Sequence, residues 1–158
     1  MTGIVNQLDI ASLVKSVTAV KSSALTAAGS GDATTVTGIT IDRLSFSGSD
    51  VPLTAQFIAA FDATLASGSS LSVGITVQDS ADSASWSAYA TLASAIIATG
   101  PSGGGEVYGQ ATLGVSLRSA RQYVRMLFTP DLSRAGTDTA VGMGVAVLSG
   151  FDEVPAPT

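Results

Sequence analysis

The sequence predicts an all-β protein, a two-layer antiparallel β-sandwich of jelly-roll-like order with an extended N-terminal arm. Three observations carry that prediction. Apolar residues recur at every second position in several short segments, the period of a strand with one buried face. Gly, Ser and Pro clusters punctuate the intervals between those segments. No stretch shows the apolar spacing of a long helix, and Ala, Ser, Thr and Gly make up about half of the 158 residues, a poor composition for a solvated helical bundle.

The clearest segment is Leu71, Val73, Ile75 and Val77, alternating with Ser72, Gly74, Thr76 and Gln78. Ahead of it, Phe57, Ala59, Phe61, Ala63 and Leu65 share one parity, and residues 66–70, ASGSS, supply a turn. The pair reads as a β-hairpin or meander. Val107, Gly109, Ala111, Leu113, Val115 and Leu117 form another inward stripe, and Val124, Met126 and Phe128 a further one. The last segment places Val141, Met143, Val145 and Val147 inward and Gly142, Gly144 and Ala146 outward. Outward glycines would let a second backbone approach closely.

Three regions are harder to read. Ile39 and Ile41 run in one register and Leu44 and Phe46 in the other, which a bulge near Asp42 or Arg43 reconciles. Residues 85–92, with Trp86 and Tyr89, form a short strand, and 93–98 a long loop or a second short strand before the glycine-rich connection 100–105. Asp9 to Val20 admits a capped helix or, from Val14 to Leu25, an edge strand. The β-branched, Ser- and Thr-rich later half favours the strand. The resulting division is an arm over 1–13, a sandwich over 14–150 and a proline-containing tail over 151–158.

Composition narrows the function. The chain has no His and no Cys, which removes thiol nucleophiles, serine–histidine triads, His- or Cys-ligated metals and disulfides. No catalytic residue, metal site or cofactor is expected, and the protein reads as a non-enzyme. With 7 basic and 12 acidic residues and a net charge of −5, it lacks the electrostatics of a nucleic-acid partner. No apolar run approaches the roughly 18 to 20 residues of a spanning helix, so no membrane is expected. Met1 to Ala11 lacks a basic leader ahead of an apolar block, which speaks against a secretory signal.

Five constellations have the makings of sites. Asp79 and Asp82 sit in a serine-rich loop, but the spacing lacks the alternating acids and trailing glutamate of a calcium loop, and a solvated turn is the favoured reading. Gly103 to Gly105 lacks the Lys-Ser/Thr of a phosphate cradle and reads as a mobile hairpin connection. Glycoside hydrolysis would need two carboxylates assembled from separate loops, which no local pattern supports. Trp86 and Tyr89 offer an aromatic platform for a sugar, against the commoner reading of a tryptophan filling the core. Arg118, Arg121, Arg125 and Arg134 concentrate the basic charge, and Arg125 shares a parity with Tyr123. An outward Tyr–Arg interface patch and a set of solvated arginines weigh about equally.

Residues 41–44 (IDRL), 71–86 (LSVGITVQDSADSASW), 120–125 (ARQYVR) and 128–130 (FTP) resemble the small capsid decoration, or cement, proteins of tailed bacteriophages. The resemblance implies a β-rich module on the outer surface of a virion capsid. It implies binding to a major capsid protein and assembly as a homotrimer or homodimer, and it brings no catalytic residues. With it, Ile4, Val5, Leu8 and Ile10 of the arm and Arg121, Tyr123 and Arg125 become candidate capsid or subunit contacts. The serine/aspartate loop ending in Trp86 and the Arg121–Arg125 phrase also resemble discoidin-like carbohydrate-binding modules, and a phage tail or baseplate component is a third reading.

Overall fold

The computed structural model describes residues 13–46, 51–134 and 136–151. These form strands β1 (Val14–Thr26), β2 (Val36–Thr37), β3 (Ile41–Asp42), β4 (Thr54–Leu65), β5 (Ser70–Ser80), β6 (Ser87–Thr99), β7 (Gly105–Ser116), β8 (Tyr123–Leu132) and β9 (Thr139–Ser149). One antiparallel sheet has the order β1-β9-β4-β7 and the other β2-β8-β5-β6, with β3 a second short partner of β8. Apart from the β5–β6 hairpin, which stays within one sheet, consecutive long strands from β4 to β9 alternate between layers, and the last two strands insert beside the earliest ones. That double Greek-key order is a jelly roll. The expected all-β sandwich is therefore the observed fold.

The alternation read from the sequence fills the space between the layers. Phe57, Ala59, Phe61, Ala63 and Leu65 of β4 face Leu71, Val73, Ile75 and Val77 of β5, and all are buried. Val124, Met126 and Phe128 join them from β8, and the Phe61 and Phe128 rings meet edge to face at 5.2 Å. β7 keeps its expected parity, but Val107, Leu113 and Val115 are only half-buried, because an edge strand has one flank without a neighbour. Val14–Thr26 is the edge strand preferred over the helix, paired only with β9.

Four expectations are corrected. The turn after Leu65 does not close a hairpin, since β4 and β5 lie in different sheets. The same holds for the glycine-rich connection, which carries the chain from β6 to β7 across the sandwich. These two crossings bind each other: the Gly68 N–H donates to the Gly100 carbonyl at 3.2 Å and the Gly100 N–H to that of Ser69 at 2.8 Å. Residues 87–99 form one continuous strand, its irregularities absorbed by three register shifts against β5. The fourth correction concerns β9, where Gly142, Gly144 and Ala146 face the core and Val141 and Met143 face outward. The inner side needs the glycines because a Cβ at Gly142 would lie 2.1 Å from the Phe61 ring and one at Gly144 2.8 Å from Val20.

The irregular stretch before β4 also has a steric cause. The break lies at Gly38 to Thr40 between β2 and β3, upstream of the predicted bulge. There the Gly38 N–H donates to Met126 O at 2.9 Å and the Ile39 N–H to Ala19 O at 2.7 Å. The chain thus bridges strands of the two layers, and only a residue without Cβ fits between their carbonyls. Asp42 instead organises a turn, its carboxylate accepting from the Leu44 N–H at 2.9 Å.

Candidate functional site: the outer sheet faces

Alternation that buries one side of each strand presents the other, and the two outer faces differ in chemistry. On the β1-β9-β4-β7 sheet, β9 shows Val141, Met143, Val145 and Val147, β4 shows Ile58, Ala60 and Asp62, and β7 shows Tyr108, Gln110 and Gly114. Tyr108 is 72% exposed, Val141 49% and Met143 43%. A trough of about 760 Å³ lies among Ala60, Asp62, Tyr108, Gln110, Val141 and Met143. A second, of about 410 Å³, lies on the same face by Gln56, Gly114 and Val147. Along β9 and β4 the only ionisable side chain pointing outward is Asp62. Apolar surface gathered in this way, with so few charges to protect it, is the mark of an interaction face.

The outer side of the other sheet is mixed, with Asp131 and the exposed Ile96 towards one end and Tyr123 and Arg125 towards the other. Tyr123 and Arg125 project outward from β8, as their parity predicts, and both are half-buried. The Arg125 Nε donates to Gln78 Oε1 at 2.8 Å, and its guanidinium lies 4.1 Å from the centre of the Trp86 ring. Partial desolvation lowers the Arg125 pKa from its ordinary value. Trp86 therefore neither fills the core nor offers a free platform, since one face of its indole is stacked under arginine. Tyr89 is also committed, its hydroxyl donating to Ser116 O at 2.6 Å. Arg121 lies nearby with its side chain about half exposed, 3.9 Å from the buried Asp79 carboxylate. Ile4, Val5, Leu8 and Ile10 lie outside the described residues. So does most of the tail, although Phe151, assigned to it from sequence, is buried and meets Phe46 edge to face at 5.9 Å.

The acidic loop divides into two roles. Asp82 is the solvated turn: one carboxylate oxygen accepts from the N–H groups of Ala84 and Ser85 and from the Ser80 hydroxyl. Those bonds stabilise the anion and hold the carboxyl far below its usual range. Asp79 is instead buried in β5, where it accepts from the Arg121 N–H at 2.9 Å. Among the described residues no three acidic side chains gather where a metal ion could sit.

Two buried ionisable residues were not singled out from sequence. Arg43 is 5% exposed and its guanidinium donates to the carbonyls of Ala120, Arg121 and Pro52. Burial lowers its pKa, partly opposed by Tyr89 and Asp79. It ties the connection before β8 to the start of β4, and so sets the base from which Arg121, Tyr123 and Arg125 project. Asp138 is 2% exposed and accepts from the Ala66 N–H at 2.7 Å at the opposite end. Neither leaves a local trace in the sequence, because their partners are main-chain groups, most of them distant in the chain.

No protein-family model and no curated protein sequence matches this chain. Solved structures similar to it include several from infectious bursal disease virus. The structure of the Gx strain is 14% identical over 91% of this chain, with a TM-score of 0.45. The VP2 subviral particle is 13% identical over 86%, with a TM-score of 0.41. The T=1 particles derived from the virus are 14% identical over 86%, with a TM-score of 0.43. This chain spans about a third of each of those chains, 35%, 32% and 31% in turn.

Proposed function

We propose that this chain is a virion structural protein of the capsid decoration, or cement, kind. It binds the major capsid protein on the outer surface of a phage head and meets copies of itself as a homodimer or homotrimer. The observation that carries the reading is the apolar, charge-poor outer side of the β1-β9-β4-β7 sheet, a surface suited to being covered. The phrases 41–44, 71–86, 120–125 and 128–130, which resemble those of decoration proteins, support the same reading. Fold alone would not, since jelly rolls serve many functions.

In this proposal Ile4, Val5, Leu8 and Ile10 engage the shell, and Arg121, Tyr123 and Arg125 add a cationic contact from the opposite sheet. Each contact is shallow, and attachment gains strength through repetition on a symmetric lattice. The test adds the full chain to purified heads that lack it, followed by gradient sedimentation and heating. Co-sedimentation at a fixed ratio and heads that rupture at a higher temperature are expected. Protein that stays at the top of the gradient, or that labels only tails, contradicts the proposal. Loss of binding on deleting residues 1–13 identifies the arm as the anchor.

A further inference from the structure

A strand buried on both faces is apolar at odd and even positions alike, whereas a strand facing water alternates. β9 belongs to the first kind, with Ala140, Gly142, Gly144, Ala146 and Leu148 inward and Val141, Met143, Val145 and Val147 outward. Its inner side is covered by the opposite sheet, and its outer side is bare. Resting on the virion reading above, we infer that two copies of this chain pair face to face through the outer side of the β1-β9-β4-β7 sheet. The two-fold axis lies in the interface and crosses the strands at the level of Ala59.

The area suits a second copy. Four strands about 4.8 Å apart and eleven residues long at about 3.3 Å each present about 700 Å². A stable protein–protein contact covers about 800 Å² per partner.

The register sets the axis. Ala59 stands opposite both Gly144 and Ala111, so all three lie at one level across the sheet. A two-fold axis at that level carries each outward residue to the position equally far on the other side. Tyr108 then faces Gly114 of the second copy, Asp62 faces Gln56, Val141 faces Val147, Met143 faces Val145, and Ile58 faces Ala60. The pairs are complementary in size and polarity. Tyr108 is the most exposed large hydrophobic side chain of the face, while the space around Gly114 holds no atom within 4 Å of an added Cβ. The smaller trough, by Gln56, Gly114 and Val147, receives the phenol.

Charge selects this axis over one running along the strands. Asp62 and Glu106 lie at the same end of the face, opposite Tyr108 and Thr64 respectively. An axis along the strands would stack the acidic ends of both copies. An axis across them sends each Asp62 six residues from its counterpart, about 20 Å along the strand direction, well beyond the roughly 8 Å screening length at physiological salt.

The experiment is sedimentation velocity on the full chain as a function of concentration, with the variants Tyr108→Ala, Gly114→Phe and Tyr108→Ala/Gly114→Tyr. Both positions are solvent-exposed in the single copy, and thermal unfolding of each variant confirms that it folds. The wild type is expected to be a dimer. Each single substitution should weaken pairing by about 30-fold or more, the scale of a lost hot spot. The double variant, which moves the ring to the other member of the pair, should recover it. A wild type that stays monomeric up to its solubility limit overturns the inference, as does a dimer that neither single variant weakens. Single variants that weaken the dimer without recovery in the double variant overturn the assigned axis. A monomer that still co-sediments with heads removes the pairing and keeps the virion reading. A dimer that ignores heads does the reverse.

Discussion

Gly142→Ala is the substitution whose outcome depends most directly on how β9 is turned. An ideal Cβ at this position would lie 2.1, 2.4 and 2.5 Å from Cε1, Cδ1 and Cζ of Phe61. Carbon atoms in contact normally sit about 3.5–4.0 Å apart, so the ring must retreat by more than 1 Å. It has nowhere to go, because Phe61 is buried and Phe128 stands edge-on behind it at 5.2 Å and 71°. Overpacking of this kind costs about 1–3 kcal/mol, and replacing glycine by alanine within a strand returns about 0.5–1 kcal/mol. A clash this short lies at the upper end of the range, so the net loss is about 2 kcal/mol, or about 4–8 °C in Tm for a chain of this length. The assay is urea and thermal unfolding at one fixed protein concentration, since self-association would itself shift the midpoint. Gly142→Ala/Phe61→Leu should regain much of the loss by removing the obstructing ring edge. A single variant as stable as the wild type, or more stable, would refute the inward orientation of Gly142.

Arg43→Ala should cost about 3 kcal/mol, because it strands the carbonyls of Ala120, Arg121 and Pro52 in a buried site. Arg43→Lys should recover only part of that in chemical denaturation, since an ammonium does not reproduce the guanidinium fork. The Asp82 carboxyl titrates in the folded protein below its unfolded value near 3.9. Its stabilising effect is therefore complete above that value and fades as pH falls through the folded pKa. The stability gap between wild type and Asp82→Ala, measured by thermal unfolding, should be present at neutral pH and narrow on acidification below about pH 4. Arg125→Ala should shift the emission of Trp86, the one tryptophan of the chain, and cost about 0.5–1 kcal/mol, the scale of an exposed cation–π contact. An unchanged spectrum would mean that the guanidinium does not rest on the indole.

The inner faces of β4, β5 and β8 were legible because large and polar residues alternate strictly there, so parity alone assigns a side. β9 was not, because both of its parities are small or apolar. The deciding fact is the bulk of Phe61 on a neighbouring strand about eighty residues away, and that register is not written locally. The connection after Leu65 has the length and residues of a hairpin turn, yet it crosses between layers. Strand pairing in a jelly roll is set by partners far apart in sequence, such as β1 with β9 and β4 with β7. The outward direction of Tyr123 and Arg125 followed from parity. The stacking of Arg125 on Trp86 did not, because it needs β5 between β8 and β6. Arg43 escaped notice because its partners are carbonyl groups, which every residue has.

An electron-microscopy map of phage heads carrying the protein tests the central claim most directly. The account predicts jelly-roll densities on the outside of the shell, joined in pairs across the β1-β9-β4-β7 sheets. Density for this chain inside the shell, confined to the tail, or missing from the particle would contradict it.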